Sequence, residues 1–113
     1  MTSGKIVLVP FPFDDLSTTK VRPAACLTDP IGPHRHVVLA FISSQVPASL
    51  SSTDLLLDPA DPDFAATGLR VASVLRLHRM MTVTTALIQR QLGELSPAWR
   101  AQVATRLVKL FQL

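Results

Sequence analysis

The chain has 113 residues, 48% of them hydrophobic, and a formal charge of +3 from 11 Lys/Arg against 8 Asp/Glu. That length suits a single domain over residues 1–113, and a mean hydropathy of +0.34 is high for a lone small domain, so a partner subunit is expected to cover apolar surface. The longest apolar runs, such as Val37 to Ile42, fall far short of the ~20 residues of a membrane-spanning helix, and Pro10, Pro12, Asp14 and Asp15 interrupt the stretch after Lys5 that a secretory leader would need, so a cytoplasmic protein is expected.

Ile6 to Val9 form a short apolar strand after Gly4 and Lys5. Pro10 and Pro12 cannot donate to a ladder, so pairing is expected to stop there. Asp14, Asp15, Ser17, Thr18 and Thr19 supply turn chemistry before a second strand, Arg22 to Thr28, and the two strands read as a hairpin with a long loop. Pro23 biases Arg22 toward an extended backbone and fixes where its side chain leaves the strand. A guanidinium held in this way can fork onto a phosphate. The alternative is an ion pair with Asp14 or Asp15.

Further strands are expected at His36 to Ser43, Thr53 to Leu57 and Arg70 to Leu77, separated by Asp29-Pro30-Ile31-Gly32-Pro33 and Asp58-Pro59-Ala60-Asp61-Pro62-Asp63. Short strands at this spacing favour a compact barrel. Thr84 to Leu95 is ambiguous, since Leu87, Gln91 and Leu95 suit a helix while Gly93 discourages one. Ser96-Pro97 marks the start of a helix running to the end of the chain. Its apolar stripe is Trp99, Val103, Leu107, Leu110 and Phe111, with Arg100, Arg106 and Lys109 off that stripe.

Residues 1–68 carry four Lys/Arg and seven Asp, a net of −3, whereas residues 69–113 carry seven Lys/Arg and one Glu, a net of +6. A basic C-terminal half suits a polyanion or an acidic protein segment, or simply solvates a helix face. The single cysteine, Cys26, has apolar neighbours and reads as core; without a local group to activate it, a nucleophilic role is the weaker alternative. His34 and His36 lack the carboxylate or cysteine partners of a zinc site, so no metal is expected.

Three blocks in order, Gly4 to Phe13 with Lys20 to Ala24, Phe41 to Gln45, and Ser73 to Val83 running on to Leu92-Gly93-Glu94-Leu95, resemble the PemK/MazF family of bacterial toxin ribonucleases. The resemblance implies an SH3-like barrel with a C-terminal helix, a fold shared with gyrase-directed toxins of the CcdB kind. It also implies a short helix and then a strand in the ambiguous 84–95 segment. In activity it implies a type II toxin that cuts single-stranded RNA without a cofactor, leaving a 2′,3′-cyclic phosphate and a 5′-hydroxyl and arresting growth. The implied partners are a second copy in a homodimer and a cognate antitoxin with a disordered acidic segment.

The family's cleavage residues match Arg22, as the cation on the scissile phosphate, and Ser43, as a donor to a non-bridging oxygen. Ser43 also reads as a strand-end serine capping a turn, with Ser44 competing for the same role. Some relatives carry an arginine and an aspartate at positions matched by Arg76 and His78, which strand alternation puts on one face opposite Leu75 and Leu77. Imidazole exchanges protons near neutral pH, so His78 is a candidate acid or base as well as a candidate structural histidine. Lys20, Ser44 and Gln45 are candidate RNA contacts. Phe11 and Phe13 can stack on bases, or else plug the barrel end. Lys5 and Val21 depart from the acidic residues of many relatives. These departures and His78 motivate a second reading, a non-catalytic relative acting through protein contacts, on gyrase or as an antitoxin-associated repressor.

Overall fold

The computed structural model describes residues 1–12 and 19–113. Six strands form one antiparallel sheet: β1 (Lys5–Pro12), β2 (Thr19–Cys26), β3 (His36–Ser43), β4 (Asp54–Leu57), β5 (Ser73–Thr84) and β6 (Arg90–Glu94), in the order β4-β5-β3-β2-β1-β6. A 3-10 turn at Ala65–Thr67 precedes β5, another at Thr85–Leu87 precedes β6, and the helix α1 (Pro97–Phe111) closes the chain. The short helix and strand implied for residues 84–95 are therefore present.

The sheet is apolar on both faces, because successive side chains of continuous apolar runs such as Ile6 to Val9 and Val37 to Ile42 turn to opposite sides. Ile6, Ala25, Ala40, Ile42, Leu55, Leu57, Leu75 and Leu77 turn to the side where Trp99 and Val103 of α1 pack, with Phe64 and Leu95. Val7, Val9, Ala24, Cys26, Val37, Leu39 and Val83 form a second cluster, joined by Phe11, Met81 and Ile88. The sheet curls as a half-barrel, and it is this curl that hides the second face of so small a chain.

Pairing does not stop at Pro10. β1 continues against β2 through Pro10↔Val21, Phe11↔Lys20 and Pro12↔Thr19. The reason lies on the other edge. The Leu8 carbonyl accepts from Gln89 N on the β6 side, and the β1–β6 ladder ends at Leu8↔Arg90. Pro10 and Pro12 share the parity of Leu8, so their nitrogens face an edge where β6 has already ended and need no acceptor.

β5 differs most from expectation, beginning at Ser73 rather than Arg70 and running to Thr84 rather than Leu77. Its pairing with β3 steps from Ala40↔Met80 to Phe41↔Arg76, so Leu77, His78 and Arg79 form an irregularity that breaks the sequence alternation. The second strand likewise begins earlier than expected, at Thr19, and ends at Cys26.

In α1 the Ser96 side chain accepts from Trp99 N at 3.1 Å, the expected cap. Trp99 and Val103 are buried and Leu107 and Leu110 half-buried, but Phe111 is 56% exposed, so the expected stripe ends one residue early. Arg106 Nε donates to the Asp54 carbonyl at 3.0 Å and Arg100 donates to Ser3 Oγ at 3.4 Å, so two arginines off the stripe tie the helix to the sheet. Gly93 and Gly68 allow the Ala65–Thr67 turn to lie backbone-to-backbone against β6: a Cβ on Gly93 would stand 2.2 Å from the Ala66 carbonyl oxygen, and one on Gly68 2.1 Å from that of Leu92.

Candidate functional site

The β2–β3 ladder runs only from Cys26↔Leu39 to Ala24↔Phe41. Beyond it β2 continues as Pro23 and Arg22, still paired to β1, while β3 continues as Ile42 and Ser43, still paired to β5. Leu8↔Pro23 is a pair whose bonding groups point away from each other, because Leu8 bonds toward β6; the nitrogen of Pro23 therefore faces β3. Having no hydrogen to give, it ends the ladder. The strands part there and open a wedge.

The wedge is a cleft of about 520 Å³. Arg22 and Pro23 line it from β2, Ser43, Ser44 and Gln45 from the end of β3, Arg70 from the segment before β5, and Arg79 from the β5 irregularity. Phe41 lies where the ladder ends, and the ring of Phe11 packs on it with centroids 4.1 Å apart. The Arg79 guanidinium sits 5.2 Å from the centre of the Phe41 ring, within cation–π range. Three arginines and no acidic side chain line the cleft among the described residues, so that lining is cationic.

Arg22, Ser43, Ser44, Gln45 and Phe11 are therefore brought together as expected. Ser43 Oγ accepts from Gln45 N at 3.1 Å, so the serine does cap the turn after its strand. That bond uses a lone pair and leaves the hydroxyl hydrogen to be donated into the cleft. Lys20 is exposed on β2 and is not part of the lining. Phe13, Asp14 and Asp15, and with them the expected ion pair of Arg22, lie outside the described residues.

Arg76 and His78 are placed differently. Neither lines the cleft. Arg76 Nε stands 3.4 Å from Oδ1 of Asp54, whose side chain is 1% exposed, and both atoms are buried with no hydrogen-bond partner among the described residues. The other Asp54 oxygen accepts from Ser51 N at 3.0 Å. Asp54 pairs with Arg76 across β4 and β5, so the arginine supplies the countercharge of a buried carboxylate. His78 is exposed within the β5 irregularity. Lys5 bonds Glu94 across β1 and β6 at 3.2 Å, a surface pair where many relatives have an acid.

Sequence reasoning missed Arg79, Arg70 and Asp54. An aspartate opening the run Asp54-Leu55-Leu56-Leu57 is a legible sign of a buried charge, but its partner depends on strand register. Cys26 is buried, and desolvation pushes its thiol up to about 11, as befits core rather than a nucleophile. The His34 and His36 rings lie 5.9 Å apart on the exposed start of β3. Among the described residues no three His, Cys, Asp or Glu side chains gather as a metal site. Among the described residues no helix is long and apolar enough to cross a membrane.

Solved structures share this fold. The Mycobacterium tuberculosis toxin MazF-mt6 superposes with a TM-score of 0.70 at 24% identity, covering 96% of this chain and 97% of its own. A MazE-MazF structure from Deinococcus radiodurans gives 0.73 at 17% identity, with 100% and 96% covered. A mycobacterial endoribonuclease in complex with its cognate antitoxin gives 0.71 at 15% identity, also with 100% and 96% covered. A search of curated proteins returned no match. The model of the PemK-like, MazF-like toxin of type II toxin-antitoxin systems matches residues 2–111, nearly the whole chain, and with the fold and the arginine-lined wedge this places the protein in that toxin family.

Proposed function

We propose that the chain is an endoribonuclease that cuts single-stranded RNA, messenger RNA included, in the wedge between β2 and β3. The observation that carries the reading is the convergence of Arg22 and Ser43, delivered by separate strands, in one cationic cleft. In this chemistry the 2′-hydroxyl attacks the adjacent phosphorus and the bond to the 5′-oxygen breaks, giving a 2′,3′-cyclic phosphate and a 5′-hydroxyl. Arg22 binds the phosphate and stabilises the charge that grows on its oxygens; Ser43 donates to one of them. Ser44 and Gln45 at the rim and Phe11 at the apex contact the nucleotides. Arginine supplies the positive charge that other enzymes take from a metal. The proton steps fall to His78, exposed one residue before the cleft-lining Arg79. The protein works in the cytoplasm as a homodimer and is held inactive by an antitoxin whose acidic segment meets its basic surface; solved relatives include antitoxin complexes.

The test is purified protein with a long RNA in chelator, with mapping of the ends produced. Cyclic phosphate and 5′-hydroxyl ends are expected, with a loss of about 10²-fold or more in rate for Arg22→Ala. RNA that stays intact across neutral pH refutes catalysis, and an unchanged rate in Arg22→Ala refutes the site. One observation favours a second reading, a non-catalytic relative acting by protein contacts: Arg76 and His78 both stand outside the cleft lining. It predicts growth arrest with undamaged RNA.

A further inference from the structure

We infer that Arg79, rather than Arg76, is the second cation that holds substrate in the cleft, binding a backbone phosphate beside the one on Arg22; this rests on the ribonuclease reading above. Regular alternation along β5 would put Arg76 and His78 on one face and leave Arg79 on the other. The irregularity at Leu77, His78 and Arg79 overrides that pattern and delivers Arg79 to the cleft wall. Arg76 meanwhile is committed to Asp54, a carboxylate that β4 and the Ser51 amide hold in the interior.

The aromatic pair explains why Arg79 is suited to this. Phe41 is only 7% exposed and carries Phe11 against it, so the ring under the guanidinium is a fixed surface. The guanidinium carbon stands 5.2 Å from the centre of that ring, a cation–π contact. A ring contact engages none of its N–H donors in a hydrogen bond, so they can fork onto phosphate oxygens. A long side chain already ordered by the ring loses less entropy on binding than one waving in solvent. Arg70 brings charge to the same lining, and Arg79 has an aromatic ring against its guanidinium. Because Arg79 reaches the cleft from β5 and Arg22 from β2, with β3 between them, the two cations grip successive points along a strand of RNA.

The experiment measures binding of a mixed-sequence RNA with 2′-O-methyl riboses, which cannot be cleaved because the attacking hydroxyl is blocked. Anisotropy is followed as salt is raised. Arg79→Ala is expected to weaken binding about 5-fold and to lower the salt slope by ~0.7, the value for one phosphate contact on a single strand. Arg79→Lys keeps the slope and loses part of the affinity, because an ammonium is a point charge without the planar fork. Arg76→Met combined with Asp54→Asn keeps both affinity and slope. Melting curves confirm that each variant is folded. Unchanged affinity and slope in Arg79→Ala, with the parent protein binding normally, overturn the inference alone. Loss of the slope in the Arg76/Asp54 double variant overturns the division of labour between the two arginines. A parent protein that neither binds nor cuts RNA overturns both this inference and the ribonuclease reading.

Discussion

Replacing Arg76 by methionine separates a structural arginine from a catalytic one. Unit charges 3.4 Å apart attract by about 5 kcal/mol at an effective dielectric near ~20. Much of that offsets the cost of taking Asp54 out of water. Removing one partner of a buried pair costs about 3–5 kcal/mol. Here Arg76 is 29% exposed and its Nε makes no hydrogen bond to the carboxylate, so about 2–3 kcal/mol is expected, or roughly a 10 °C fall in Tm for a domain of this size. Asp54→Asn removes the buried charge yet leaves an oxygen for Ser51 N. The double variant should therefore lie within about 1 kcal/mol of the parent, a coupling of about 1.5–2 kcal/mol. The assay is urea unfolding at one fixed protein concentration, since self-association shifts apparent stability. RNA cleavage by the double variant, near the parent rate, is the second readout. Arg76→Met and Asp54→Asn effects that simply add, or an Arg76→Met midpoint within about 0.5 kcal/mol of the parent, would refute the pairing argument.

Three further outcomes follow from particular contacts. Gly93→Ala sets a methyl 2.2 Å from the Ala66 carbonyl oxygen and must push the Ala65–Thr67 turn off β6, at a cost of about 3 kcal/mol; stability equal to the parent would show that the turn gives way freely. Cys26, its thiol raised to about 11 by burial, should react with a thiol reagent at mildly alkaline pH only after denaturant is added, and prompt labelling of the native protein would contradict its place in the core. Backbone N–H groups of Ser3 and Thr2 donate to Asp29 and lower its pKa below 3.8. Folded-state pKa below unfolded means the stabilisation is present above the ordinary carboxylate range and fades as pH falls through the lowered value; the protection of the Ser3 amide against exchange, relative to the unfolded chain at the same pH, should fall there, and Asp29→Asn should remove the pH step.

The comparison of sequence with structure is instructive at the prolines. Pro10 and Pro12 read as the end of a strand because a missing donor is visible in sequence; whether that donor was needed is not. It was not needed, since β6 stops short of them. Pro23 has the same chemistry, and there the missing donor faces β3 and opens the cleft. Arg22 was legible because Pro23 fixes where its side chain leaves the strand, and Ser43 through the family resemblance. Arg79 was not: strict alternation put Arg76 and His78 on one face and Arg79 on the other, and only the irregular register at Ala40 and Phe41 brings Arg79 to the cleft.

By itself the sequence determined a small β-rich chain with a capped C-terminal helix, a buried cysteine and an arginine presented by the start of a strand, because period, cap and proline chemistry act over a few residues. Its three ordered blocks also carried the family. Only the tertiary structure decided which cations meet in the cleft and which are spent inside the fold. Five of the seven basic residues of the C-terminal half divide by contact: Arg70 and Arg79 face the wedge, while Arg76, Arg100 and Arg106 hold Asp54, Ser3 and the β4 backbone. Charge pattern is set along the chain, but the partner of each charge is set by strand register and by the curl of the sheet, which no local stretch of sequence encodes.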